Sequence, residues 1–354
     1  MRAAPQFCPT EGRRPWVSGR AALCGLVLAA GCAAWQEPAF ETPAKQGPRD
    51  KPDDSDLAAL VPAGVETVIE VDMEALRRSP WTAEALPDPD ARMRDRKTAA
   101  LGYDGVADVD RIVYAVTTAG VAAPTIVIAQ GRFQTANVEA AFRDRWANAT
   151  PDKWRGLTTL ASGESALGTL SPRTFCSGAP AQVHAVIDRA FNVGASYWDQ
   201  ANGPAGPPGT LRRELLAAAR FTSPAVLATV VVDDQLRARV GDAFPLPREL
   251  RQVAARVDLG LSLDLQAVGH LDDASAAAAL AQRLSALLSD RMTRMALAVL
   301  GLSELVQSVQ VSADGTEVRA HATVPPERRQ QVSAALRILV QALRGQVDPR
   351  VTGS

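Results

Sequence analysis

The chain has few of the residue types on which catalysis and metal binding most often depend. Three of its 354 residues are histidines, and no spacing between them and the carboxylates suggests a catalytic triad. Its basic residues form no cluster and the formal net charge is −1, which argues against a nucleic-acid partner. The apolar run at Ala21–Ala30 has ten residues, whereas a membrane-spanning helix requires about 20. The sequence therefore points away from several large classes of function.

The N-terminal segment contains the parts of an export signal in order. Four arginines and one glutamate precede the apolar run at Ala21–Ala30. The run leads into the sequence LVLAAGC, which ends at Gly31 and Cys32. This pattern resembles the lipobox of bacterial lipoproteins, although Ala29 stands where leucine is commoner. The resemblance implies cleavage between Gly31 and Cys32 and a diacylglycerol on Cys32, with a third chain such as palmitate on its amine.

The resemblance to lipoproteins also implies a location. In Gram-negative members an aspartate directly after the cysteine retains the protein at the inner membrane, and here that residue is Ala33. We therefore expect a protein anchored in the outer membrane and facing the periplasm. The pair Arg13–Arg14 leaves open whether export uses the general or the twin-arginine route.

Removal of the signal changes the charge and the cysteine content. Residues 1–31 carry a net charge of +3, so the mature chain has a formal charge of −4. Two of the four cysteines leave with the signal and Cys32 is acylated, which leaves Cys176 alone. A disulfide within the mature chain and a cysteine metal site are thereby excluded. We expect Cys176 to be buried.

Composition divides the mature chain into a tether, two units and a linker. Residues 32–56 hold prolines and charges with few aliphatic side chains, so we predict the lipidated cysteine and a disordered tether there. Its 24 residues after Cys32 span roughly 75 Å when extended. We predict a first α+β unit at 57–192, a glycine- and proline-rich linker at 193–210, a second unit at 211–345 and a disordered tail at 346–354.

An internal repeat supports the division into two units. Gly131–Ala136 and Gly269–Ala274 match in their glycine, large apolar and alanine positions at an offset of 138 residues. Around each copy the hydrophobic periodicity predicts the order β-α-β-β-α-β-β-α. The first six elements have the ferredoxin-like order, so we predict an α+β fold of two tandem ferredoxin-like units, each an antiparallel sheet with helices on one face. Whether the two sheets join stays open.

Individual elements follow from local patterns. Leucine and valine alternate with polar residues from Val257 to Leu265, which is the cleanest strand signal in the chain. Asp314–Gly315 predicts a tight turn between two strands. Helices are predicted from apolar stripes that comprise Val183, Val186, Ile187 and Ala190; Ala276, Leu280, Leu284 and Leu287; and Val332, Leu336, Leu339 and Leu343. The body also resembles secreted α+β proteins of GC-rich bacteria for which no activity is known.

The patterns closest to catalytic or metal motifs have structural explanations. Gly163–Gly168 approaches a nucleophile elbow but has leucine two residues after Ser165, where the motif requires glycine, so we predict a turn. His184 and Asp188 lie four apart on one helix, but a third metal ligand is missing, so we favour a solvated helix edge. We therefore predict no catalytic residues, no metal and no cofactor.

The two other histidines are also without a predicted role. His321 lies on the polar side of its strand, where we expect it to face solvent, and His270 has no partner within its own segment. An enzyme would require a fold that brings His184 or His270 together with distant carboxylates in one cleft.

The remaining binding candidate is the aromatic pair Tyr197 and Trp198 beside the linker. Aromatic residues are frequent in interface hot spots, so the pair is a possible partner contact. The alternative, which we favour, is that Trp198 fills the seam between the units. We expect a non-enzymatic, lipid-anchored binding or scaffold protein of the envelope. The alternative is a carrier or sensor of an apolar small molecule or lipid, which requires a cavity of several hundred Å³ with few polar groups.

Overall fold

The computed structural model describes residues 48–82, 102–117, 125–200, 207–217, 224–240, 246–291, 294–295 and 303–330. The export signal with Gly31 and Cys32, the stripe Val332–Leu343 and the tail 346–354 lie outside these residues. The strands are β1 Thr67–Asp72, β2 Val109–Val116, β3 Thr125–Gly131, β4 Thr150–Trp154, β5 Leu157–Ser162, β6 Ser165–Ser171, β7 Thr174–Gly178, β8 Val226–Val231, β9 Leu250–Leu259, β10 Leu263–Leu271, β11 Gln310–Asp314 and β12 Glu317–Val324. The α-helices are α1 Met73–Arg78, α2 Thr135–Arg145, α3 Pro180–Ala190, α4 Pro208–Ala217, α5 Asp234–Val240, α6 Ala274–Ser289 and α7 Ser303–Ser308.

The strands form one antiparallel sheet in the order β11-β12-β10-β9-β8-β1-β2-β3-β7-β6-β5-β4. The α+β class is thereby confirmed. The two halves join through β1 and β8, where Ile69 lies opposite Ala228. Because β1 and β8 are the first strands of their repeats and run antiparallel, the halves are related by an approximate two-fold axis between them. The sheet question that the sequence left open is answered: the sheets are continuous.

The predicted ferredoxin-like pairing is corrected by this order. In a split β-α-β arrangement the chain leaves the first strand through a helix and returns with one strand position left between. Here it returns on the adjacent position, because β1 pairs directly with β2 and Val71 lies opposite Ile112. The order of elements along the chain is the same in both arrangements. Local periodicity therefore cannot distinguish them, because it does not specify which strands become neighbours.

The helices cover both faces of the sheet, not one face as predicted. Val113 of β2 packs with Val183 and Val186 of α3, whereas its neighbour Ile112 packs with Phe142 of α2. Successive side chains of a strand point to opposite faces, so α3 and α2 lie on opposite sides. In the second half α4 packs with Ala254 and α6 with Val253, in the same way.

The alternation from Val257 to Leu265 belongs to two strands. β9 ends at Leu259, β10 begins at Leu263, and Leu259 and Leu263 are cross-strand partners. Leu261 lies in the turn with 90% of its surface exposed. A hairpin with this register places Leu259 and Leu263 on the same face, so the apolar alternation continues through the turn and resembles one strand.

Several local predictions are confirmed. The stripe of α3 is fully buried at all four positions, and Cys176 is buried beneath it. The β11–β12 hairpin turns through Gly315, whose φ of +55° favours glycine. α6 begins after Asp273, whose carboxylate accepts a hydrogen bond from the Ala276 backbone N–H. Among the described residues no helix is both long and apolar enough to cross a membrane.

The last residues of the predicted tether are ordered against the body. The backbone N–H groups of Arg49 and Asp53 donate to the carbonyls of Phe191 and Ala190, each at 2.9 Å. These carbonyls lie at the C-terminal end of α3, where helix carbonyls lack partners within the helix. Composition does not predict this ordering, because the contacts are hydrogen bonds between backbone groups. The predicted linker also differs, since its last residues from Pro208 onward begin α4.

Candidate functional site

A cavity of about 340 Å³ lies beside α2 in the first half of the molecule. Four aromatic side chains contribute to its wall: Tyr103, Phe142, Trp146 and Phe175. Its polar lining includes Arg145, Glu164, Ser165 and Ser177. The volume falls within the range of small-molecule pockets, about 300–1,000 Å³. The cavity therefore combines an aromatic wall with polar groups at several positions.

The aromatic wall results from the spacing on α2 and from contacts with the sheet. Phe142 and Trp146 lie one helical turn apart, and their ring centroids are 4.4 Å from each other. Tyr103 packs on Phe175 at 5.5 Å. Burial raises the pKa of Tyr103 to about 12, with Tyr114 adding to the shift, so the phenol is neutral at physiological pH. The Arg145 guanidinium lies 4.6 Å from the Trp146 ring centroid.

Ser165 contributes to the cavity from the first position of β6, directly after a turn. Gly163 and Glu164 form the turn of the β5–β6 hairpin, with Gly163 at a φ of +58°, and the rest of the GESALG segment, Ser165–Gly168, lies in β6. The prediction of a turn is confirmed. That this turn borders a cavity could not be predicted from the sequence, because the opposite wall comes from α2.

A second candidate site lies on the face of the sheet covered by α4. His270 of β10 and Glu317 of β12 are cross-strand partners, and the Nε2 and Oε1 atoms are 3.0 Å apart. Glu214 of α4 joins this pair, because one ligand atom from each of the three side chains lies within 4.8 Å of the others. The Arg319 guanidinium pairs with the other oxygen of Glu317. The fold thus brings His270 together with two carboxylates that are distant in the sequence.

The charges around Glu317 favour its ionised form. Contact with the His270 ring lowers the pKa of Glu317 to about 2, and Arg319 lowers it further while burial opposes both. Gln252 of β9, the opposite cross-strand neighbour of His270, is fully buried. His270, Glu317 and Gln252 therefore form a polar row across three strands.

His321 is half-buried rather than facing solvent as expected. Its Nε2 lies 3.0 Å from Thr323 Oγ1 and 3.4 Å from Asp264 Oδ1. The carboxylate of Asp264 accepts hydrogen bonds from Thr323 Oγ1 and Ser262 Oγ, each at 2.6 Å. In a catalytic triad the histidine stands between hydroxyl and carboxylate, whereas here the carboxylate bonds the hydroxyl directly. These residues therefore lack the triad arrangement.

The same contacts determine the electrostatics of Asp264. The His321 ring lowers the pKa of Asp264 to about 2, the hydroxyls of Ser262 and Thr323 lower it further, and burial opposes them. The carboxylate is consequently ionised over the physiological range.

His184 and Asp188 both contact Trp154 on the edge strand β4. The His184 ring stacks on the Trp154 ring at 4.2 Å with an interplanar angle of 4°. Asp188 accepts a hydrogen bond from Trp154 Nε1 at 3.0 Å and pairs with Arg155. This arrangement anchors β4 to α3 and agrees with a structural role.

Tyr197 does not present a surface to a partner. Its side chain is fully buried, and its hydroxyl lies 3.4 Å from the Glu66 carbonyl and 3.3 Å from the Thr229 carbonyl. Glu66 directly precedes β1 and Thr229 lies in β8, so Tyr197, and not Trp198, fills the seam between the two halves. Trp198 is half-buried beside it and donates from Nε1 to the Ala58 carbonyl at 2.6 Å. The possible partner contact is therefore corrected for Tyr197, whereas for the half-buried Trp198 it stays a prediction.

Comparisons with known proteins give only remote structural likenesses. No family model and no curated protein matches the chain. Crystal form III of TP0453 is 13% identical, with a TM-score of 0.46, and the alignment covers 79% of this chain and 98% of that one. Crystal form I is 11% identical at a TM-score of 0.44, covering 79% and 97% of the two chains. Similarity at this level carries no inference about function.

Proposed function

We propose that the chain is a lipid-anchored protein of the cell envelope that binds a partner or ligand and catalyses no reaction of its own. The observation that carries the proposal is the signal that ends at Gly31 and Cys32. Acyl chains on Cys32 would hold the protein in the outer membrane, facing the periplasm. Each buried methylene contributes about 0.8 kcal/mol, so two or three chains give durable attachment.

The ordered end of the tether limits how far the body stands from the bilayer. Arg49 is hydrogen-bonded to the C-terminal end of α3, so 16 residues separate the anchor from this contact, which is the first among the described residues. At about 3.1 Å per residue these residues reach roughly 50 Å when extended. This reach is shorter than the composition alone predicts.

Replacement of the acylated cysteine tests the anchor. The Cys32→Ala variant should move from the membrane fraction to the soluble fraction, because no lipid can then be attached. Cys24→Ala is the matched control, since Cys24 lies in the apolar run and leaves with the signal. A Cys32→Ala protein that is processed normally and stays in the membrane fraction would contradict the proposal.

The binding role is tested by crosslinking in intact cells. A partner of the anchored protein should be recovered with the wild-type chain and lost with the Cys32→Ala variant. Recovery of the same proteins from both strains, or of none from either, counts against an anchored binding or scaffold role.

A second candidate function is carriage of an apolar small molecule, and the volume and aromatic wall of the cavity beside α2 favour it, whereas its polar lining exceeds the few polar groups that such a carrier requires. Native mass spectrometry of the purified protein should then show a retained ligand. Ala141 lines the cavity, whereas its neighbour Ala140 is exposed. Ala141→Phe should abolish retention and Ala140→Phe should not, with circular dichroism confirming that both variants fold. Equal retention by both folded variants would exclude this cavity as the site.

A further inference from the structure

We infer that His270, Glu317 and Glu214 form a binding site for a divalent transition-metal ion, with zinc as the best match. The site lies on the second half of the sheet, whereas the cavity lies in the first half. The inference is independent of the proposed function, since it concerns different residues.

The fold positions the three side chains from three elements. His270 and Glu317 are directly opposed on β10 and β12, so their side chains emerge side by side on one face. α4 lies over this face because Leu211 and Leu215 pack on Ala254 and Val268. Glu214 is adjacent to Leu215 and three positions after Leu211, which brings its carboxylate over the pair. The arrangement is therefore held by a packed helix and two paired strands.

The distances fit a single ion. The three ligand atoms all lie within 4.8 Å of one another, and His270 Nε2 is 3.0 Å from Glu317 Oε1. Ligands bind zinc at about 2.0–2.2 Å, so two ligands on one tetrahedral ion are about 3.4 Å apart. Because Glu214 is exposed, its side chain has room to bring an oxygen to this separation when an ion binds.

The buried nitrogen of His270 supports an ion at this point. His270 Nε2 is shielded from solvent, and within the described residues its approach to Glu317 does not have hydrogen-bond geometry. A buried polar atom without a hydrogen bond is uncommon and calls for an explanation. Coordination of a metal ion by the Nε2 lone pair supplies one.

Neighbouring residues orient the ligands. Arg319 donates from Nε at 2.8 Å to Oε2 of Glu317, which leaves Oε1 directed at His270. Such contacts behind the ligands fix their orientation and tune affinity. One imidazole and two carboxylates suit zinc, whereas calcium and magnesium prefer oxygen ligands alone. Three protein ligands leave a fourth position for water.

The test is calorimetric titration of the detergent-solubilised full chain with zinc chloride. We expect one high-affinity zinc per chain, at least tenfold weaker binding in His270→Ala and Glu317→Gln, and no comparable binding of magnesium. His321→Ala is the matched control and should bind like the wild type, because His321 is a half-buried histidine beside a carboxylate on the same face.

Glu214→Gln keeps the test valid if His270→Ala or Glu317→Gln fails to fold. Glu214 is exposed, so its replacement should leave the fold intact. Its zinc affinity should also fall by at least tenfold. The inference is overturned if no zinc binds at one per chain, or if the folded variants of the three ligands bind zinc as tightly as the wild type does. Absorption bands of tetrahedral cobalt(II) in the wild type, and their loss in Glu214→Gln, would provide a second readout.

Discussion

Tyr197 offers the sharpest test of how the two halves of the sheet are joined. The fully buried ring lies at the seam, and its single hydroxyl proton is shared between the carbonyls of Glu66 and Thr229 at 3.4 and 3.3 Å. Both distances are long for O–H···O bonds, whose usual value is about 2.7–2.8 Å. The Glu66 carbonyl also accepts the Val231 backbone N–H at 2.7 Å, so it keeps a partner when the hydroxyl is removed.

These contacts predict that two substitutions of Tyr197 lower the free energy of unfolding by very different amounts. Tyr197→Phe should lower the free energy of unfolding by about 0.5–1 kcal/mol, because only a weak, shared hydrogen bond is lost. Tyr197→Ala should lower it by about 3–5 kcal/mol, because it leaves a cavity where the ring packs. Urea denaturation followed by circular dichroism measures both. A cost below about 1 kcal/mol for Tyr197→Ala, or equal costs for the two variants, would refute the placement of this ring in the seam.

Three further predictions concern single residues. Burial raises the pKa of Cys176 to about 12, so the thiol should react with a disulfide reagent only after denaturation; rapid labelling of the native protein would contradict this. The pKa of Asp264 is lowered to about 2, so its ionised form stabilises the fold above about pH 4 and this contribution disappears as the pH falls towards 2. In denaturation experiments Asp264→Asn should therefore lower the free energy of unfolding by up to about 2 kcal/mol at pH 5 and by almost nothing at pH 2. A Cβ on Gly131 would lie 2.0 Å from the Asp108 carbonyl oxygen, so Gly131→Ala should lower the free energy of unfolding by about 1–3 kcal/mol. Gly269→Ala, at the equivalent repeat position, should lower it less, because the nearest atom there is 3.2 Å away. Equal melting temperatures of the two variants would contradict this prediction.

Local elements of the fold were predictable because their signals are local. The buried stripe of α3 and the turn at Gly315 follow from spacing and from a dipeptide. The pairing of β1 with β8 was not predictable, since Ile69 and Ala228 are far apart in the chain and no local signal links the two strands. Periodicity identifies strands but does not identify their partners.

The candidate sites could not be predicted from the sequence for the same reason. His270 and Glu317 meet through strand register, and Glu214 reaches them from a helix that begins inside the predicted linker. The position of Tyr197 beside the glycine- and proline-rich linker predicts a possible partner contact, whereas the packing of both halves encloses its ring. In each case the deciding contact joins segments that are distant in sequence.

The central claim is the lipid anchor, and the most direct measurement is the mass of the N-terminal peptide of protein extracted from membranes. The account predicts a peptide that begins at Cys32 and carries a diacylglycerol, with or without a third acyl chain. A peptide that retains residues before Cys32, or one that begins there without any lipid, would contradict it.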